Sequence, residues 1–130
     1  VTGSPFADVN YQNKTYEIRQ GNNAFIFPGV GLAAVLGECK QISDGMILES
    51  AYALADYIKE NCNDGYIYPP IKDLKKISTY VAIRVLFKAL EDGSATRIDL
   101  KNVDLPGYVE ENLWLAEYLP CRYAGDSESQ

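Results

Sequence analysis

Between two stretches whose apolar residues recur at helical spacing stands Tyr66-Ile67-Tyr68-Pro69-Pro70, and this arrangement constrains the fold more than any other feature of the chain. Proline fixes its own φ, lacks an N–H and pushes the preceding residue out of the helical region, so the segment reads as a rigid extended entry. Before it, Ser43 and Asp44 start a helix whose apolar stripe is Ile47, Ala51, Leu54, Ala55 and Ile58, ending near Asn61 to Gly65. After it, Asp73 leads another helix, marked on one face by Leu74, Ile77, Val81, Val85, Leu86 and Ala89 and stopped by Asp92-Gly93-Ser94. A shorter helix follows Pro106-Gly107, with Val109, Leu113 and Ala116 at the same spacing.

Strand signals are confined to the first residues. Val1 to Phe6 ends in Gly3-Ser4-Pro5 and reads as a strand tail running into a loop, and Val9 to Tyr11 with Thr15 to Ile18 suggests a hairpin around Asn13-Lys14. Helices after a strand remnant do not make a parallel sheet. The expected fold is mainly α with a short β remnant.

A further helix is expected from Asn22 to about Glu38, with Asn22 or Asn23 as its cap and Pro28-Gly29 dividing a first short turn from the rest. It is apolar nearly all round and is therefore expected to be buried. Within it, Gly29-Val30-Gly31-Leu32-Ala33-Ala34 has the G-x-G-x-x-A pattern of a dinucleotide-binding turn. That pattern needs a second strand ending in an acid about 20 residues on, and the best-spaced acid, Glu49, falls inside the helix that starts at Ser43. Close helix packing is the preferred reading of these glycines.

The two carboxamides in front of this helix admit two readings. One Asn caps and the other turns the chain, as Asn is favoured to do at helix starts. Alternatively, an Asn amide donates a hydrogen bond to a carboxylate held at the helix N-terminus.

Composition removes several classes of function. There is no histidine, which excludes Ser-His-Asp and Cys-His machinery and most metal-hydrolase mechanisms. A net charge of -6 without a Lys/Arg stripe argues against nucleic acid. Cys39, Cys62 and Cys121 lack C-x-x-C spacing and read as reduced intracellular thiols rather than a disulfide framework or zinc site. The longest apolar run, Ala24 to Leu36, is shorter than the roughly 20 residues a membrane span needs and contains Pro28, so no anchor is expected.

Taken in order, Thr2-Gly3-Ser4-Pro5-Phe6, Gln20-Gly21-Asn22-Asn23-Ala24-Phe25-Ile26-Phe27-Pro28-Gly29-Val30, Ile42-Ser43-Asp44 and Tyr66-Ile67-Tyr68-Pro69-Pro70 resemble the C-terminal part of the malic enzymes. Glu111-Asn112-Leu113-Trp114 with Glu117-Tyr118 is similar to the C-terminal arm of that family. Malic enzymes oxidise L-malate with NAD or NADP and decarboxylate it to pyruvate, aided by Mg or Mn. The resemblance implies the end of a Rossmann-type α/β NAD-binding domain followed by a helical C-terminal domain. Residues 1–40 would close the NAD-binding domain, 41–93 form a helical segment, 94–124 an arm and 125–130 a disordered tail.

By the same resemblance, Asn22 or Asn23 hydrogen-bonds the malate carboxylate, with the choice between them open. Thr2, Gly3 and Ser4 would lie near the cofactor, although a plain strand-to-loop turn accounts for them equally. The family's catalytic Tyr and Lys, its metal ligands and its dinucleotide glycines have no counterpart motifs here. The chain is thus expected to be a C-terminal piece, inactive alone, that joins the remainder of a homodimeric or homotetrameric enzyme of the mitochondrial matrix or otherwise the cytoplasm. NAD is the expected cofactor, with NADP as the alternative. A helical interaction or carboxylate-binding module without catalysis is the competing reading.

Other side chains receive plainer readings. Tyr52, Tyr57 and Tyr80 are expected at the edge of the core, and Lys72, Lys75 and Lys76 on a solvated helix face. Arg97 falls where some malic enzymes carry an effector or subunit-contact arginine. Trp114, with Leu113 and Tyr118, is expected to anchor the arm against a neighbouring element or subunit.

Overall fold

The computed structural model describes residues 3–62, 65–114 and 118. Thr2, Ala116, Glu117, Cys121 and the 125–130 tail lie outside them. A hairpin of β1 (Val9–Tyr11) and β2 (Lys14–Tyr16) comes first, antiparallel, with Val9 opposite Tyr16 and Tyr11 opposite Lys14. Its turn is Gln12-Asn13, one residue earlier than expected, and β2 stops at Tyr16 rather than Ile18. Both turn residues have positive φ, 49° and 60°, the conformation that matches the right-handed twist of the strands they join. Gly3 to Asp8 form no strand.

The helices follow: α1 (Phe27–Leu36), α2 (Asp44–Asn61), α3 (Leu74–Glu91) and α4 (Leu105–Glu111). Single 3-10 turns stand at Asn23–Phe25 and Ile71–Asp73, and a longer one at Ile98–Asn102. The last of these carries no periodic signal and was not expected. Each of α1 and α2 packs chiefly on α3, and they meet one another little. Helix α3 is consequently the spine of the core, with Ile77, Val81, Ala82, Val85, Leu86 and Ala89 fully buried.

Two expectations are corrected by this packing, while the expected break near Pro28 is found: the short turn Asn23–Phe25 precedes α1, and Pro28 stands in the first turn of α1, where its missing N–H is harmless. The helix ends at Leu36 because Glu38 adopts a left-handed φ of 47°, and the Gly37 carbonyl turns to accept from the Thr96 N–H at 3.0 Å. Nor is α1 buried all round: Gly29, Val30 and Ala33 face α3, while Phe27 is 60% and Val35 73% exposed. An apolar side chain is covered only where a neighbour stands, and here α3 covers one side.

Helix α2 is rotated relative to the expected stripe. Met46, Ser50, Ala53, Leu54 and Tyr57 are buried, whereas Ile47, Ala51 and Ala55 are exposed. The small Ser50 and Ala53 side chains lie on the buried face, and Ser50 satisfies its hydroxyl by donating to the Ile47 carbonyl at 2.6 Å. Arg84 of α3 clasps α2, donating from Nε to Glu49 at 2.6 Å and from Nη1 to Asp56 at 3.0 Å. Tyr57 and Tyr80 meet edge to face at 5.7 Å, while Tyr52 points outward.

The start of α2 is tied to the end of α3. The Ser43 hydroxyl accepts from the Met46 N–H at 3.1 Å and donates to Asp92 at 2.6 Å. That donated bond holds the Asp92 carboxyl below its ordinary value of 3.8. A carboxylate with a depressed folded-state pKa stabilises above its unfolded pKa, and the contribution is lost as pH falls through the folded value. Ser43→Ala is therefore expected to cost about 1 kcal/mol at neutral pH. The deficit should shrink below about pH 4, which urea unfolding at several pH values checks.

Helix α4 begins at Leu105, ahead of Pro106, and buries Leu105 and Val109 beside α3. Leu113 beyond it is half-buried, but Trp114 is 84% exposed among the described residues.

Candidate functional site

The Asn pair sits where the chain leaves an extended segment and enters the helices. Asn22 has extended backbone, φ -117° and ψ 135°, and its Oδ1 accepts from the Ala24 N–H at 2.9 Å. Its carbonyl accepts from the Phe25 N–H at 3.1 Å. Asn22 is thus the cap of the 3-10 turn Asn23–Phe25; the cap position of α1 itself belongs to Ile26, which has no capping side chain. Of the two candidate caps, the structure uses Asn22, and it caps the short turn ahead of α1. Asn23 is exposed, and its carboxamide makes no hydrogen bond among the described residues.

Both asparagines line a cavity of about 270 Å³. Its other walls come from Gly21, from Ile26 and Phe27, from α2 through Ile47, Ser50, Ala51 and Leu54, and from Tyr68. None of these lining residues is charged. The Tyr68 ring is stacked on Phe25, with centroids 6.1 Å apart and planes at 22°. A small, mostly apolar hollow with amides and a phenol at its rim can orient a carboxylate-bearing molecule by hydrogen bonding.

Of the remaining expected site residues, Gly3 and Ser4 are brought alongside. The Gln20 amide donates to the Gly3 carbonyl in a long contact of 3.5 Å, laying that segment beside Gln20-Gly21-Asn22. Thr2 lies outside the described residues. The glycine pattern is resolved by packing: a Cβ on Gly29 would lie 2.7 Å from Val81 Cβ and 2.8 Å from the Ser78 carbonyl, whereas one on Gly31 meets nothing within 4 Å. Gly29 lets α1 approach α3, and Glu49, the spaced acid, is engaged by Arg84.

Among the described residues, no group of three or more His, Cys, Asp or Glu side chains could hold a metal ion. No helix there is long and apolar enough to cross a membrane. Cys39 and Cys62 are free, and burial pushes the Cys39 thiol up. Lys72, Lys75 and Lys76 are exposed. Arg97 grips Asp99 through Nε and Nη2 at 2.9 and 2.8 Å.

Sequence reasoning missed Tyr68 and the α2 residues of the cavity wall. The signal for Tyr68 was the Tyr66–Pro70 segment itself, whose prolines hold it extended against Phe25. Of the α2 residues, Ile47, Ala51 and Leu54 stand on the apolar stripe read from the sequence and Ser50 lies off it, but helical spacing does not distinguish a cavity wall from a core face.

Comparison with known proteins gives a consistent result. Residues 1–90 match the family model described as malic enzyme, NAD binding domain, a span that takes in α1, α2 and nearly all of α3. A NADP-dependent malic enzyme of Dictyostelium discoideum is 38% identical over 92% of this chain and 21% of its own length. The NAD-dependent malic enzyme of Acinetobacter baylyi is 40% identical over 91% of the chain and 21% of its own length. A NADP-dependent malic enzyme of Vitis vinifera is 44% identical over 94% of the chain and again 21% of its own. The chain spans about a fifth of the length of the curated relatives it matches.

Proposed function

This chain belongs to the malic enzyme family, and from that premise we propose that it supplies one wall of the malate pocket of an enzyme that oxidises and decarboxylates L-malate to pyruvate with NAD or NADP. The observation that carries the reading is the division of labour in the Asn pair. Asn22 spends its amide oxygen on the turn. Asn23, at the rim of the same cavity, keeps its carboxamide uncommitted among the described residues. The Asn22 amide is fixed in orientation by its oxygen, whereas the Asn23 amide is free to turn its Nδ2 donor toward a carboxylate, so we take Asn23 as the carboxylate ligand and Asn22 as the residue that aims it.

The uncharged lining supports binding and orientation rather than proton transfer. Mg or Mn polarises the reacting oxygens of malate in this family, and the described residues do not provide its ligand set. Because the chain spans about a fifth of the length of its relatives, metal binding and the chemical step are proposed to lie in the remainder of the enzyme. Gly3 and Ser4, of which Gly3 accepts from Gln20, are proposed to lie near the cofactor. The outward apolar residues Phe27 and Val35 of α1, with Ile47 and Leu48 of α2, suit burial against that remainder. Trp114 suits a contact between subunits of a dimer or tetramer. Relatives of both cofactor types resemble the chain to a similar degree, so NAD is proposed with NADP as the alternative.

The reading is tested by assaying the full-length polypeptide that carries this chain for malate-dependent reduction of each dinucleotide, with pyruvate measured in parallel. Stoichiometric pyruvate and reduced cofactor are expected, and the 130-residue chain alone is expected to give neither. Absence of malate-dependent reduction with both dinucleotides in the full-length protein contradicts the proposal.

A further inference from the structure

One side chain outside the cavity fixes how its walls stand to one another. The Arg19 guanidinium donates from Nε and Nη2 to the two carboxylate oxygens of Glu17 at 3.1 and 3.2 Å, and from Nη1 to the Tyr68 carbonyl at 3.0 Å. Its central carbon lies 3.5 Å from the centre of the Tyr66 ring. These contacts use the planar fork, the spare donor and the cationic face of one group together, which a point-charge ammonium cannot do. The Arg19 side chain is only 13% exposed, unlike a loose surface ion pair. Arg19, Phe25 and Pro69 also line a second cavity of about 180 Å³.

Arg19 joins two pieces of chain 49 residues apart. On one side it leads directly into Gln20-Gly21-Asn22-Asn23. On the other it holds the backbone of Tyr68, whose ring stacks on Phe25 and lines the Asn cavity. The separation between the Asn turn and Tyr68 is thus set by Arg19 and by the Phe25–Tyr68 stack.

We propose that Arg19 is a positioning residue of the dicarboxylate pocket: by clamping the Tyr66–Tyr68 segment to the stretch of chain that leads into Asn22-Asn23, it sets malate affinity without touching malate. The proposal rests on the reading of Asn23 as the malate ligand.

The test uses the full-length enzyme and compares Arg19→Ala, Arg19→Lys, Asn23→Ala and the Arg19→Ala/Asn23→Ala pair. Loosening the wall should raise the malate KM about tenfold in Arg19→Ala, while kcat and the dinucleotide KM stay within about twofold. Arg19→Lys should recover little of this, since the ammonium cannot make the fork, the carbonyl bond and the ring contact together. In the Asn23→Ala background the Arg19→Ala change should have little further effect, because residues acting through one another are not additive. If Arg19→Ala does not fold, Arg19→Lys carries the comparison alone.

An unchanged malate KM in the Arg19 variants, beside a raised one in Asn23→Ala, overturns the inference and leaves the Asn23 reading standing. Equal losses for malate and dinucleotide, or full multiplication of the two effects, reduce Arg19 to a fold-stabilising residue and also overturn it. No effect of Asn23→Ala on malate removes the ligand reading and the inference together.

Discussion

In the full-length enzyme, Asn23→Ala is expected to lower kcat/KM for malate by a factor of about 10 to 100, the size of one lost hydrogen bond to a charged group, or roughly 1.5 to 3 kcal/mol. Its neighbour behaves differently. Asn22→Ala removes the acceptor for the Ala24 N–H, so it lowers stability by about 1 kcal/mol, as loss of a cap does. Its effect on turnover is the smaller of the two and comes only through the aim of Asn23. Steady-state kinetics with melting temperatures for both variants separate the two roles. Equal kinetic losses would mean that the turn acts as a unit. Kinetic loss confined to Asn22→Ala would mean that the roles are reversed.

Gly29→Ala is expected to destabilise by about 1 to 3 kcal/mol, because its new methyl must displace Val81 and the Ser78 carbonyl across the α1–α3 contact. Neither obstacle is the far end of a flexible side chain. Gly31→Ala, with nothing near its Cβ, instead gains up to about 1 kcal/mol of helix propensity. Urea unfolding of the chain reads both. A dinucleotide turn at these glycines would give the opposite signature, a raised cofactor KM from either substitution with stability unchanged.

The sequence was most informative where local chemistry decides the outcome. Ser43 at the start of α2 and Asp92-Gly93 at the end of α3 act through hydrogen bonds and backbone preferences within a turn of the helix. The stripe of α3 was legible because that helix is covered on a broad face by both α1 and α2. The orientation of α2 was not, since Ser50 and Ala53 are buried by the close approach of a partner and not by their own hydrophobicity. Helix α1 shows the converse: its composition says that every side is apolar, but only the neighbour in space decides which side is dry.

The site divides in the same way. The Asn pair was visible as a motif, and its resemblance to the malic enzymes named the chemistry. Which Asn is engaged by the turn depends on the φ and ψ of Asn22 and one hydrogen bond, neither of which residue identity reveals. Arg19 gave no signal at all, because its partners Tyr66 and Tyr68 are distant in sequence and a lone arginine between Ile18 and Gln20 has no periodicity to read.

The most direct measurement is the equilibrium dissociation constant of malate in the non-reacting complex of the full-length enzyme with reduced dinucleotide, compared by calorimetry among wild type, Asn22→Ala and Asn23→Ala. Weakening by about tenfold or more in Asn23→Ala, with Asn22→Ala within about threefold of wild type, is the predicted result. Unchanged malate binding in Asn23→Ala would contradict it, and the Asn pair would then be a structural turn beside a pocket built by other residues.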